Sequence, residues 1–573
     1  MLAIGVFFIA GISSCDDAPA KRPAWPTPGP TPPQPAPQTS QLVFSTYLGG
    51  SVPCAPGVSP NTFAQNSACD ALGNIYVTGA TQVSDLPVLN AFQPSPAPLS
   101  IMSAFVAKYD PVGDMLWCTY LGGNHQSMGT GVAAMPDGGV VVVGVTTSDA
   151  LGPIPVMYGF QEQNHGQSDY FVAVFEANGN LRYSTYLGGS GVEGTPGAVF
   201  TDDNSNGNNV AADAQGLVYV TGTTNSGGGG GSIKFPVTPN ALQSDLAGST
   251  NAFLCIINPA MRGSASLVYS SFLGGDRDNK GHSVAVEASG RYIAVAGYTN
   301  STDFPIPASA NSYRRHAPED SFTSNGFVVQ IEAKHPGSLS SGYSMRYSTY
   351  LGADKDDPRD DTYGMVLDSN GLIVATGRTQ SAYFPMTNGG PTIFNSAPYL
   401  KRHKSGDEPY LVKIDPSLDG EASLVYSTFL GGGQEDGQWG SFCTSVGLDA
   451  LGTVYVAGES NALGQAYDPY NQEAPQEFPY TENALYTALQ GYRNVIFMQI
   501  DPGGAPLGYS TYLGGTDSDR AYGLAVDSAS NVVLTGLTGS ADFPLENPAQ
   551  TWPGNAGSLN AFVTKFSAGA LGR

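Results

Sequence analysis

The sequence predicts an all-β fold, a seven-bladed β-propeller of four-stranded blades, because three short phrases recur seven times in one fixed order. The first is FSTYLGG at 44–50, followed by WCTYLGG (117–123), YSTYLGG (183–189), YSSFLGG (269–275), YSTYLGA (347–353), YSTFLGG (426–432) and YSTYLGG (509–515). The spacings are 73, 66, 86, 78, 79 and 83 residues. The second phrase is NIYVTG (74–79), echoed by GVVVVG, LVYVTG, YIAVAG, LIVATG, TVYVAG and VVLTG (532–536). The third is AFVAKYD (104–110), echoed six times down to AFVTKFS (561–567).

Each phrase is rich in β-branched and aromatic residues and bounded by Gly, Asp, Asn or Pro, which is how a strand reads. A fourth strand precedes the YVTG phrase, as in HSVAVE (282–287), YGMVLD (363–368) and YGLAVD (522–527). The turn between these two carries Gly at 73, 139, 216, 290, 371 and 452, with Ser530 in the seventh unit. Four strands per unit over seven units is the arithmetic of a propeller. A solenoid would carry distinct capping repeats, and none is legible. The chain opens on the STYLGG strand and ends on the AFVTKF strand, so residues 42–48 are expected to complete the last blade and close the ring. An unpaired edge there would be an aggregation liability.

Composition narrows the function classes. Lys and Arg number 24 against 48 Asp and Glu, a net charge of −24. That balance excludes a phosphate-binding surface, so no nucleic-acid partner is expected. With 41% hydrophobic and 10% aromatic residues the chain buries a large core and is not disordered.

The units resemble the SBBP repeat, named for a seven-bladed β-propeller and common in bacterial surface and secreted proteins. The STYLGG phrase, the G-x-x-YVTG strand and an Asp-Phe-Pro corner carry the resemblance. The corner reads DLP (85–87), KFP (234–236), DFP (303–305), YFP (383–385), EFP (477–479) and DFP (542–544), with GPIPV (152–156) departing in the second unit. The resemblance spans residues 42–567 and implies a fold without a single activity.

Residues 1–14 read as a lipoprotein signal peptide. The apolar run LAIGVFFIAGI (2–12) is too short to span a bilayer and leads into Ile12-Ser13-Ser14-Cys15. This resembles a bacterial lipobox, which implies cleavage before Cys15 and lipidation of its thiol, although no Lys or Arg precedes the run. Residues 15–41 form a tether with Pro at 19, 23, 26, 28, 30, 32, 33, 35 and 37, a density that favours extended polyproline II. The propeller occupies 42–567 and a short tail 568–573. The expected location is the bacterial cell envelope, at the outer membrane or cell surface, with the membrane reached through the lipid anchor and the propeller monomeric.

Two of the four strand connections are long, and both open on one face. Examples are 224–251, 299–325, 379–408 and 460–494. Variable loops on a rigid scaffold are where function usually sits, so this face is the expected binding surface. It also collects carboxylates. Asp354, Asp356, Asp357, Asp360 and Asp361 form the densest run, and hard oxygen ligands suit Ca²⁺. A solvated acidic surface is the other reading of that run. Asp202-x-Asn204-x-Asn206-Gly207, with Asp213 beyond it, matches the spacing of a calcium loop. No flanking helices are readable, however, and Asp213 also occupies a repeated turn position, so an Asn/Asp-rich surface loop accounts for it equally.

Signals for an enzyme are thin. There is no H-E-x-x-H, C-x-x-C, G-x-S-x-G or G-x-x-x-x-G-K, and the six His are scattered without zinc spacing. Five Cys remain after Cys15; Cys54 and Cys69 are near enough in sequence for a local disulfide, while Cys118 and Cys255 read as small buried residues. The sequence therefore favours a lipid-anchored, non-catalytic binding or scaffolding propeller that takes a protein or glycan ligand on its long-loop face, with calcium as a candidate aid. The alternative is an extracellular carbohydrate-active hydrolase or lyase using carboxylates at the propeller mouth. If residues 42–48 close the ring, deleting them lowers the melting temperature markedly; an unchanged melt refutes the closure.

Overall fold

The computed structural model describes residues 41–571 except 150–151, 195–207, 228–231, 318–323, 336–341, 354–358, 382, 388–406, 433–439, 467–477 and 555–556. Cys15 and the signal peptide lie outside the described residues. Seven four-stranded antiparallel sheets account for nearly all the regular structure, and no described helix is long and apolar enough to cross a membrane. Blade 1 runs Thr62–Cys69, Ile75–Thr81, Ser103–Tyr109 and Met115–Leu121 from the inside outward. The inner strands of blades 2 to 7 are Ser127–Ala134, Val210–Ala212, Asn279–Val286, Asp360–Leu367, Phe442–Leu448 and Asp519–Val526. The outermost strand of blade 7 is Leu42–Leu48, which pairs antiparallel with Asn560–Phe566.

The repeated phrase is explained residue by residue. Its Ser donates to the carbonyl of the corner proline: Ser45 Oγ to Pro544 O at 2.7 Å, Ser184 to Pro155 at 2.6 Å and Ser348 to Pro305 at 2.8 Å. Its Tyr hydroxyl sits inside the corner. Tyr350 donates to Ser301 O at 3.0 Å and accepts from Phe304 N at 2.9 Å, and Tyr120 does the same with Val83 and Leu86. The Asp of the corner reaches the other way, to the loop after the LGG of the preceding blade. Asp85 accepts from Ser51 N and Val52 N, and Asp542 from Thr516 N.

Tight turns close the opposite face. Asp70 Oδ1 accepts the amides of Leu72 and Asn74, and Asp213, Asp368, Asp449 and Asp527 repeat the arrangement. The residue two places before the second strand needs the left-handed region, which glycine enters without a Cβ clash. Gly73 has φ +81°, and Ser530 adopts +61° in blade 7. In blade 2 the position falls on Gly138 rather than on the expected Gly139.

Between neighbouring blades lie seven apolar clusters, each fed by both sheets. One of them joins Phe44, Leu48, Val533 and Val563 of blade 7 to Ile75, Phe105 and Tyr120 of blade 1. Cys118, Cys255 and Cys443 are buried within these layers. The expected bridge between Cys54 and Cys69 is not formed; both are free thiols. The Cys54 backbone amide donates to Gln82 O, just beyond one end of the first hairpin, whereas Cys69 pairs with Ile75 at its other end. A strand's length of roughly 23 Å separates those ends, and a disulfide needs Cα atoms about 6 Å apart.

Replacing Tyr350 with Phe strips a buried carbonyl and a buried amide of their partner. The cost is about 1–3 kcal/mol, read as a lower melting temperature by calorimetry on the full chain.

Candidate functional site at the channel rim

Six inner strands carry one extra residue, which breaks the register between Ala64/Asn66, Gly129/Gly131, Gly281/Ser283, Thr362/Gly364, Cys443/Ser445 and Ala521/Gly523. The bulged residues are Gln65, Thr130, His282, Tyr363, Thr444 and Tyr522. Asn208 is the counterpart in blade 3, because Val210 pairs with Val220 and Thr221 N donates to Asn209 O. A bulge unpairs the ladder and re-aims a side chain. Here the freed groups stitch one inner strand to the next. His282 Nδ1 lies 3.0 Å from Thr362 O, Thr444 Oγ1 donates to Ala521 O at 2.9 Å, and Asn209 Nδ2 donates to Thr130 Oγ1 at 2.8 Å. Beyond this ring the channel encloses a cavity of about 320 Å³ lined by uncharged residues, among them Ser67, Ala134, Ala212, Val366, Leu448 and Val526.

On the other side of the ring, toward the long-loop face, the seven units stop being alike. The residue after the conserved Gly of each second strand reads Ala80, Val145, Thr223, Tyr298, Arg378, Glu459 and Leu537. On the side of blades 7, 1 and 2 an apolar group forms from Phe63, Ala80, Met102, Met128, Tyr522 and Leu537. Blades 5 to 7 carry buried charge. Arg378 bonds Asp361 at 3.0 Å and Asp407 at 3.4 Å, Arg359 lies 3.2 Å from Asp361, and Glu459 is held between Arg493 and Arg520. Ions out of water persist only with such multiple pairing.

His282 stands beside the charged arc, with the rings of Tyr298 and Tyr363 each 5.6 Å away. Burial pushes its pKa down to about 4, against the opposing pull of Asp361, so the imidazole is neutral. A carbonyl accepts only, so the contact with Thr362 O puts the proton on Nδ1 and leaves Nε2 a bare acceptor. Neutral imidazole, tyrosine hydroxyls and paired guanidinium groups suit recognition by hydrogen bonding.

The residues singled out in the sequence fare differently. Asp202, Asn204, Asn206, Asp354, Asp356 and Asp357 lie outside the described residues. Asp213 caps its turn and accepts from Tyr219 Oη at 2.9 Å. Asp360 accepts from Ala353 N at 2.8 Å, and Asp361 serves Arg378 and Tyr363. Among the described residues no three His, Cys, Asp or Glu converge as metal ligands. The second-to-third connections, read in the sequence as long variable loops, run back along the outer strand of their own blade. Leu89 and Cys118 exchange backbone bonds, Ser45 and Glu546 do likewise, and Gln93 and Gln161 accept from the first Gly of the LGG phrase. An outer strand otherwise leaves a row of unpaired groups, and these segments fill it.

The family model described as Beta-propeller repeat, SBBP, matches residues 508–544, one stretch of a chain that folds as a seven-bladed propeller. No curated protein matches it. Among solved structures it is similar to a luciferin-regenerating enzyme, at 10% identity over 71% of this chain and 88% of that one, with a TM-score of 0.28. A puromycin hydrolase gives 9% identity over 86% of this chain and 53% of that one, with a TM-score of 0.36. The WD40 domain of Neurospora crassa Pan2 gives 11% over 93% and 98%, with a TM-score of 0.37. Identities this low speak to fold only, and these superpositions carry no argument about activity.

Burial raises Asp360 and Asp519 to about 7. A carboxyl whose folded pKa exceeds its unfolded value near 3.9 contributes most below that value, and the contribution is lost as pH rises through 7. His282 acts oppositely, and its contribution is lost below pH 6.5. Melting temperature therefore falls between pH 6.5 and 8.5, and Asp519→Asn flattens the slope; a melt that rises over this window contradicts the assignment.

Proposed function

We propose that this chain is a non-catalytic binding or scaffolding propeller of the bacterial cell envelope. A lipid on Cys15 and the 15–41 segment tether it to a membrane, and a protein or glycan ligand meets it on the long-loop face around the channel rim. One observation carries the reading: six carboxylates of that face are committed to donors of their own chain. Asp85, Asp303 and Asp542 hold backbone amides, Asp361 and Glu459 hold arginines, and Asp519 holds Asn494, Gly515 and Ser540. A glycosidase needs a pair of carboxyls free to face its substrate across about 5–9.5 Å. The break in repeat symmetry at the rim supports recognition there, since a scaffold conserves what holds it together and varies what it presents. Calcium stays an accessory in this reading, because Asp213, Asp360 and Asp361 already have protein partners.

The full chain, incubated with envelope glycans and synthetic glycosides, is expected to retain a ligand without releasing product; turnover overturns the reading. Cys15→Ala is expected to move the protein from the membrane to the soluble fraction.

A further inference from the structure

One corner of the ring departs from its counterparts. At four seams the first Gly of the LGG phrase is seated between the first residue of a third strand and a polar residue leading into the next blade. These pairs are Ser103 with Ser127, Asn251 with Asn279, Asn325 with Asp360, and Asn494 with Asp519. At Asn494 and Asp519 the two side chains are complementary, Asn494 Nδ2 donating to Asp519 Oδ2 at 3.0 Å. Between blades 2 and 3 the pair is Asp169 with Glu193, acid against acid, and neither is exposed at all.

The surroundings supply donors to three of the four oxygens. Asp169 Oδ2 accepts from Gln161 Nε2 at 2.6 Å and His165 N at 3.1 Å. Glu193 Oε1 accepts from Thr224 Oγ1 at 2.6 Å, and Oε2 from Gly189 N at 3.1 Å. Asp169 Oδ1 has no protein donor and turns to the glutamate carboxyl. The titratable groups facing the pair are Tyr170 on the same strand, Tyr186 on the outer strand and His165 in the covering segment. Among the described residues no Lys or Arg joins them. Two other buried acids of the rim do have such partners, Asp361 in Arg378 and Arg359, Glu459 in Arg493 and Arg520.

Two unsolvated carboxylates in contact do not both ionise. We infer that Asp169 and Glu193 hold one proton between them in an O–H···O bond, and that loss of this proton to solvent unlatches the seam between blades 2 and 3. The seam is the backbone that the pair clamps, residues 161–168 with 188–194, joined by Glu193 N to Ser168 O at 3.0 Å and Gln167 N to Gly191 O at 2.9 Å. Burial first, then the charge of Glu193, hold the Asp169 carboxyl well above the usual range, against the His165 amide. The latch is closed while the proton is bound and opens as pH rises.

Hydrogen exchange on the full chain, corrected for the intrinsic effect of pH, tests this between pH 6.5 and 9.5. The amides of His165, Gln167, Gly189 and Glu193 are expected to lose protection by about tenfold per pH unit once the proton has left. Asp169→Asn, which installs the amide–acid pair used at Asn494 and Asp519, is expected to abolish that dependence. The seam at Ser103 and Ser127 holds no carboxyl and serves as the internal control. A wild type whose corrected exchange is flat, or a D169N protein that keeps the wild-type response, overturns the inference. Should D169N fail to fold, Glu193→Gln puts an amide on the other side of the pair and gives the same decision.

Discussion

Everything in this ring depends on how each blade's outermost strand is held. A four-stranded sheet has two edges, and in a propeller the inner one is drawn to the axis while the outer one faces solvent. Here the outer strand is tied on both sides. Its Ser and Tyr grip the corner that follows the second strand of the same blade, and its backbone pairs with the segment that leads from that corner to the third strand. The corner's acidic residue then holds the loop after the preceding LGG. One strand therefore secures its own edge and, through the corner, the seam with the preceding blade. The consensus is what a sheet needs in order to be repeated.

That division of labour explains what the sequence disclosed. Strand positions were legible because each is a short β-branched and aromatic run with a turn residue on either side, and seven copies aligned themselves. The tight turns were legible for the same reason, to within one residue at Gly138. The reach of Ser45 to Pro544, or of Asp85 to Ser51, was not, because those partners are far apart in the chain or belong to different units. Acid-rich loops read as ligand sets, yet Asp360 and Asp361 are parts of the seam and of a buried ion cluster. Composition reports that carboxylates are abundant and is silent on which of them already have donors.

The ring of Gln65, Thr130, Asn208, His282, Tyr363, Thr444 and Tyr522 was present in the alignment all along. It is the first letter of HSVAVE, YGMVLD and YGLAVD. Nothing in one sequence announces a β-bulge, however, since the extra residue alters pairing without altering periodicity enough to notice. The rim beside it carries the clearest departure from repetition, apolar on one arc and ionic on the other. Identical blades would make an identical rim, so the information specific to this protein is concentrated there.

Blade 7 is assembled from the first and last strands of the propeller. Ser45 Oγ meets Thr564 Oγ1 at 2.8 Å across a separation of 519 residues. Of the propeller's strands, the first to be synthesised is thus the last to find its partner, after every other blade has been made. Contacts this distant in sequence are slow to form. Until then Leu42–Leu48 and the open edge of Asn560–Phe566 are exposed together, two matched strands that a neighbouring copy offers equally well. The molecule's most vulnerable interval is therefore set by the length of its own translation, and crowding of nascent chains is the condition under which its ring would close between copies instead of within one.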